Sequence, residues 1–226
     1  MASKPVPPPP MPRLYLATPL VDDPAALAAS LPALLGNADV AAVLLRLKPS
    51  DQRTMITRIK ALAPAVQNAG AALLIEGHVE LVARGGADGA HLNGIEAMQD
   101  ALPTLKPDRI CGVGGLPTRH DSMAAGEAGA DYVLFGEPDA QGQRPSADAI
   151  AERLNWWAEL FEPPCVGHAA SLEEVRDFAA AGADFVLVGD FIWDDPRGPA
   201  AALMDAEAAI RQGHTAMAGK VEVEQE

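Results

Sequence analysis

Eight short apolar runs recur along this chain, and Ala-rich segments with helical patterning separate them. The runs are "LYLAT" (14–18), "VAAVLL" (40–45), "AALLI" (71–75), "GAHL" (89–92), "ICGV" (110–113), "YVLF" (132–135), "CVG" (165–167) and "FVLV" (185–188). Strands written as continuous apolar runs are buried on both faces, which points to a parallel sheet, and parallel strands need a crossover between them, usually a helix. Eight such units predict an α/β fold, a single-domain (βα)8 barrel. The expected divisions are a disordered Pro-rich N-terminus at 1–12, the barrel at 13–213 and a flexible acidic tail at 214–226.

Three of the runs are introduced by the same word. "GAD" precedes the run at Asp88, at Asp131 and at Asp184. The glycine closes a helix in the left-handed conformation, the alanine packs closely, and the aspartate satisfies turn backbone as the strand begins. The three aspartates therefore belong to the bottom face of the barrel, where residues serve stability, and the polar residues after each run belong to the top face, where barrels of this kind place their chemistry. Helix starts agree: "TRHD" (118–121) and "SLEE" (171–174) read as capping boxes, and Ser146 as an N-cap. Trp156 and Trp157 on the following helix read as helix-to-barrel packing.

The 226 residues carry a formal net charge of -14. That argues against nucleic acid or an anionic membrane as partner, since both require a basic face. No window resembles a membrane span and no secretory leader is written, so a cytoplasmic protein with small-molecule partners is expected. A homo-oligomer is compatible with the sequence. Cys111 and Cys165 stand far apart without metal-ligand spacing and read as reduced thiols in apolar strands.

The strand ends supply the candidate site. "RLKP" offers Arg46 and Lys48, two residues apart on an extended chain and so pointing the same way, as a phosphate clamp requires. "IEGH" offers Glu76 and His78, "HLNG" offers His91 and Asn93, and Glu96 follows a turn later. "GVGG" permits close backbone approach of a ligand at Gly114. "GEPD" places Glu137 and Asp139 at the mouth, with Arg144 in the next loop, and "GHAAS" and "GDF" bring His168, Ala169, Ala170, Gly189 and Asp190. Loops after the seventh and eighth strands of such barrels commonly bind phosphate through backbone amides.

Taken in order, these residues resemble the thiamin phosphate synthase and TenI-like thiazole tautomerase superfamily, over nearly the whole ordered chain. "LYLAT" resembles the family's "LYLIT", "GADGAHLNG" its "GADGVHLGQ", and "VLLRLK" its "VQLREK", with Leu44 where the family writes glutamine. The resemblance implies an enzyme that joins a pyrimidine pyrophosphate to a thiazole phosphate with loss of pyrophosphate, through a step that leaves positive charge on the pyrimidine methylene. It further implies Arg46 and Lys48 as the pyrophosphate-binding pair, and magnesium. The family's "ND" metal motif is here Glu76–Gly77, with Glu96 standing for the second carboxylate. Its "GGI" phosphate loop is Ala169–Ser171, and each alanine would cost about 1–2 kcal/mol if those positions need positive φ. The "TPTK" loop is absent, leaving Arg144 as the nearby cation.

Two further readings stand beside this one. Tautomerases of the superfamily can read "ADYVLFGHVF" where this chain reads "ADYVLFGEPD", so Glu137 would take the place of a proton-transferring histidine, with His168 as its companion. That role expects a Glu137 pKa raised by burial among Glu76, Asp139 and Asp190. The third reading is a non-catalytic barrel that binds a small ligand.

Overall fold

The computed structural model describes residues 10–139 and 141–223 of the chain. Eight strands form one closed barrel: β1 (Arg13–Ala17), β2 (Val40–Leu45), β3 (Ala72–Glu76), β4 (Gly89–Asn93), β5 (Ile110–Gly114), β6 (Tyr132–Phe135), β7 (Cys165–His168) and β8 (Phe185–Val188). Each pairs in parallel with the next, and β8 closes on β1 with Leu14 opposite Val186. Around them run α1 (Ala25–Leu35), α2 (Gln52–Gln67), α3 (Val79–Gly85), α4 (Ile95–Leu105), α5 (Arg119–Ala128), α6 (Ala147–Leu160), α7 (Leu172–Ala180), the short α8 (Asp190–Trp193) and α9 (Pro199–Val223). The expected eight-stranded barrel is the observed one, and each expected run overlaps its strand. Most of the N-terminal segment expected to be disordered lies outside the described residues, and the boundary expected at 213 falls inside α9, which continues to Val223.

Strand periodicity divides the apolar residues into two cores. One set, including Leu14, Leu16, Val43, Leu45 and Val186, faces the helices. The alternate set, Tyr15, Leu44, Leu74, Tyr132, Leu134, Val166 and Leu187, fills the barrel interior. Trp157 is fully buried, stacks on Phe161 at 4.3 Å and donates its indole N–H to the Pro163 carbonyl at 2.7 Å, which matches the packing role expected of it. Cys111 and Cys165 are free, buried thiols, and burial pushes Cys111 up to about 11.

The repeated aspartates do more than finish a turn. Asp88, Asp131 and Asp184 each reach back to the preceding strand and accept the backbone N–H of Leu73, Cys111 and Cys165, at 2.7, 2.7 and 2.8 Å. Each even-numbered strand is thus pinned to its odd-numbered predecessor at the bottom of the barrel. A fourth copy, "NAD" at Asn37–Asp39, completes the pattern by other means, because Asp39 receives the guanidinium of Arg13 at the start of β1. Gly86, Gly129 and Gly182, at φ of 80°, 102° and 92°, make the left-handed turns that precede three of these aspartates.

Caps and helix contacts lock the top face. Thr118 and Asp121 form the reciprocal capping box expected at α5. Ser171 caps α7 as expected, but Glu174 extends past it to the amide of Ala170 at 2.8 Å instead of closing a box. The indole N–H of Trp193 donates to the Ala17 carbonyl at 2.7 Å, joining the segment after β8 to the end of β1.

Candidate functional site

The interior alternation that places Tyr15 and Leu44 inside the barrel carries on to the strand ends. Arg46, Glu76, His91 and His168 therefore fall on the inward series of β2, β3, β4 and β7. Glu137 is on the wrong phase to join them, two residues past the end of β6. Gly136 corrects it: at φ 100° it makes a turn that side-chain-bearing residues rarely adopt, and the Glu137 carboxylate swings in over β5.

Two glycines of β5 make room for that arrival. A Cβ on Gly112 would stand 2.0 Å from Cζ of Tyr132, and one on Gly114 would stand 1.7 Å from Oε2 of Glu137. The hollow that the "GVG" word creates is thus filled by the protein's own side chains, one per layer. Gly114, expected to admit a ligand to the backbone, has a carboxylate against it.

Together these residues form a hydrogen-bonded column. Tyr15 Oη lies 3.0 Å from Tyr132 Oη, which lies 2.9 Å from His91 Nδ1, and His91 Nε2 lies 2.9 Å from Glu137 Oε1. The Glu137 carboxylate can only accept, so His91 carries a proton on Nε2 and donates it to Oε1. Burial raises both phenol pKa values, which keeps both hydroxyls protonated.

Glu137 is 15% exposed, and burial alone would raise its pKa. The charge and hydrogen bond of His91, followed by the charge of His168, outweigh burial and hold the carboxyl below its ordinary value. The raised pKa expected from an acidic neighbourhood is corrected here, because the His91 charge and hydrogen bond, the His168 charge and the Gly115 backbone amide together outweigh burial. His168 is pushed below its ordinary value by burial, which Glu137 offsets only in part. Among the described residues, the buried side-chain polar atoms left without a hydrogen-bond partner are Glu137 Oε2 and His168 Nδ1.

Cations surround this pair at two levels. Arg46 is 33% exposed and lies 3.2 Å from Asp190 and 4.0 Å from Glu76. Lys48 pairs instead with Asp22, which also holds Arg58. Arg144 is tied down: it donates to the carbonyls of Gly136 and His168 and to both oxygens of Glu174. Burial opposes the Glu174 charge, but Arg144 and the Ala170 amide keep its carboxyl below the ordinary range. The Ala169 amide is bonded to the Leu187 carbonyl, so both amides expected to face a phosphate are engaged within the protein. Neither alanine is strained, because among the described residues His78 is the one non-glycine position with positive φ. Gly189 and Asp190 sit at the mouth, where Gly189 precedes α8 and Asp190 faces Arg46.

An open cleft of about 580 Å³ runs beside the column, lined by Asn93, Gly115, Glu137, Asp139, Arg144 and Arg153. Glu76 is half exposed beside Arg46, and Glu96 is exposed in the first turn of α4. Among the described residues no group of three or more His, Cys, Asp or Glu side chains converges on a cation position. The carboxylates present therefore do not fit a magnesium site held by protein ligands alone.

Sequence reasoning missed the two tyrosines, Gly112, Asp22 and Glu174. One signal was present: this chain has 2 tyrosines, both on the inward phase of their strands, and a buried phenol requires a partner.

The profile of the thiamine monophosphate synthase family, TMP-TENI, matches residues 14–192. The thiamine-phosphate synthase of Rhodospirillum centenum is 39% identical over 202 residues, covering 88% of this chain and 98% of the relative. That of Hyphomonas neptunium is 37% identical over 207 residues, covering 87% and 92%. A solved structure described as thiamine phosphate pyrophosphorylase from Pyrococcus furiosus superposes with a TM-score of 0.74 at 19% identity, covering 89% of this chain and 96% of that one, a likeness of fold.

Proposed function

This chain belongs to the thiamine monophosphate synthase family, a transferase family of thiamin biosynthesis, and from that premise we propose that it joins a pyrimidine pyrophosphate to a thiazole phosphate and releases pyrophosphate. The observation that carries the reading is identity of 39% with a thiamine-phosphate synthase along 98% of that relative's length.

In this reading Arg46 and Lys48 receive the leaving pyrophosphate. Their present partners do not stand in the way. The Arg46–Asp190 pair is exposed on both sides, 33% and 78%, and pairs of that kind are worth about 0–1 kcal/mol, so an incoming polyanion exchanges with Asp190 at little cost. The Arg144–Glu174 pair is different, being 19% and 16% exposed with each oxygen bonded, and it serves to hold the loops after β6 and β7 together. Catalysis then rests on position and charge: the C–O bond to pyrophosphate breaks with its electron pair, and the thiazole nitrogen supplies the pair for the new C–N bond. Proton transfer is not required. No step is assigned to a protein-held magnesium ion.

The test is direct. Purified protein given both substrates forms thiamin phosphate, and Arg46→Ala lowers kcat/KM by about 100-fold. Absence of product with the unaltered chain would overturn the reading. The isomerase alternative gains no support from Glu137, because a carboxylate held below its ordinary pKa is poorly matched to proton shuttling near neutral pH.

A further inference from the structure

An ion taken out of water must be paired and hydrogen-bonded where it lies, so a buried charged side chain calls for an account of its partners. Among the described residues Arg58, on α2, is the one buried lysine or arginine, at 8% exposure. Its guanidinium makes two hydrogen bonds, and both lead to Lys48. Nη1 donates to the Lys48 carbonyl at 2.8 Å, Nη2 donates to Asp22 Oδ1 at 2.6 Å, and Asp22 Oδ2 accepts the Lys48 ammonium at 2.7 Å. The ring closes on one residue, which is held at its backbone and at its charge.

The backbone that carries the two cations needs this support. β2 pairs with β3 as far as Leu45 opposite Ile75, and beyond that point the loop after β1 takes over. Thr18 Oγ1 accepts the Arg46 N–H at 3.1 Å, the Arg46 carbonyl accepts the Val21 N–H at 2.8 Å, and the Lys48 N–H donates to the Val21 carbonyl at 2.9 Å. Arg58 completes the set by taking the carbonyl of Lys48. Charge points the same way. Lys48 and Asp22 alone sum to zero, which offers a polyanion nothing, whereas two cations around one carboxylate leave a net positive charge in a chain whose formal total is -14. When Lys48 turns from Asp22 to an incoming anion, Oδ1 keeps its guanidinium and the carboxylate stays paired.

We propose that Arg58 is a positioning residue for the pyrophosphate group: from behind the mouth it fixes Lys48 at its carbonyl and, through Asp22, at its ammonium, and it supplies the positive charge that Asp22 would otherwise cancel. This proposal rests on the synthase reading, in which Lys48 receives the leaving pyrophosphate. Arg58 touches no substrate and acts only through Lys48. Asp22 is its counterpart, a resident carboxylate that occupies the ammonium until pyrophosphate displaces it.

The experiment compares the unaltered chain with Arg58→Met, Arg58→Lys and the double variant Arg58→Met with Asp22→Asn, by steady-state kinetics and by calorimetry with magnesium pyrophosphate as the probe. Methionine fills the space without charge, and Asp22, 56% exposed, keeps Lys48 as a partner, so the variant is expected to fold, which urea unfolding checks. Arg58→Met is expected to raise KM for the pyrimidine pyrophosphate and to weaken pyrophosphate binding by about tenfold, with KM for the thiazole phosphate unchanged. Arg58→Lys keeps the charge but not the two-pronged geometry, and is expected to fall between. In the double variant no carboxylate competes for Lys48, and most of the lost affinity is expected to return. A role confined to stability would move neither constant. Turnover by the unaltered chain with pyrophosphate affinity unchanged in both Arg58 variants, or with a loss that Asp22→Asn does not reverse, overturns the proposal and leaves the synthase reading standing. Pyrophosphate binding that depends on Arg58 in a chain without turnover keeps the positioning role and overturns the synthase reading. Absence of both binding and turnover overturns both.

Discussion

At the scale of single residues, Glu137 and His168 set how the protein responds to acid. The folded pKa of His168 lies below the unfolded value of 6.5, so on acidification the unfolded chain takes up its proton first and stability falls as pH drops through that value. Glu137 is also depressed, below 4.5, so its contribution is present above that value and is lost as pH falls further. Both signs agree. Urea unfolding is expected to give a lower midpoint at about pH 5.5 than at about pH 7.5, and His168→Asn is expected to shrink that difference. An unchanged difference in the variant would show that other groups govern it. Lower in the column, Tyr15→Phe removes the terminal hydroxyl and is expected to cost about 0.5–1.5 kcal/mol, measured by the same unfolding, with Tyr132 and His91 retained. Glu137 and His168 were legible in the sequence because strand ends announce themselves. The column was not, since it joins β1 to β4 and β6 and exists only after the barrel closes. Nor did the sequence show the pKa of Glu137: a count of nearby carboxylates predicted a rise, whereas His91, the His168 charge and the Gly115 amide lower it.

At the scale of elements, the aspartate pins make pairs of strands the repeating unit. Asp184→Ala leaves the Cys165 N–H without its side-chain acceptor on a fully buried residue, and a loss of about 1–3 kcal/mol is expected in chemical denaturation. The "GAD" word was readable as a turn, yet its reach to the preceding strand was not, because a turn is local and a pin is not. The fourth copy escaped notice because its glycine is replaced by Asn37 and its partner is a side chain, Arg13. Arg144 teaches the same lesson: the cation was visible, while its partner Glu174 lies 30 positions away. In α9, Gly213 sits against α7, where a Cβ would stand 2.1 Å from the Arg176 carbonyl oxygen. Alanine would gain about 1 kcal/mol in helix propensity, but a backbone contact that short forces the helices apart, and overpacking of that kind costs about 1–3 kcal/mol. Gly213→Ala is therefore expected to lower the thermal midpoint, and a rise would show that α9 shifts freely.

At the scale of the whole molecule, the barrel was legible because parallel strands buried on both faces write themselves as apolar runs and each crossover adds a helix. The segment expected as a tail from 214 onward is helical as far as Val223, the last of the described residues. The chain is acidic overall, with a formal charge of -14, yet its candidate mouth collects Arg46 and Lys48, each beside exposed carboxylates. Because no cluster of ligands converges on a cation among the described residues, magnesium alone is expected to leave the thermal midpoint unchanged, and a rise with magnesium alone would reveal a protein-held site. The column that ends at Tyr15 has one further consequence. A cavity of about 320 Å³ at the bottom of the barrel is lined by Tyr15 and Tyr132, so the hydroxyl protons have a route to water at the foot of the barrel as well as at its mouth. Deuterium uptake at the Tyr132 hydroxyl would then continue when a substrate covers the mouth, and would report on breathing of the barrel floor.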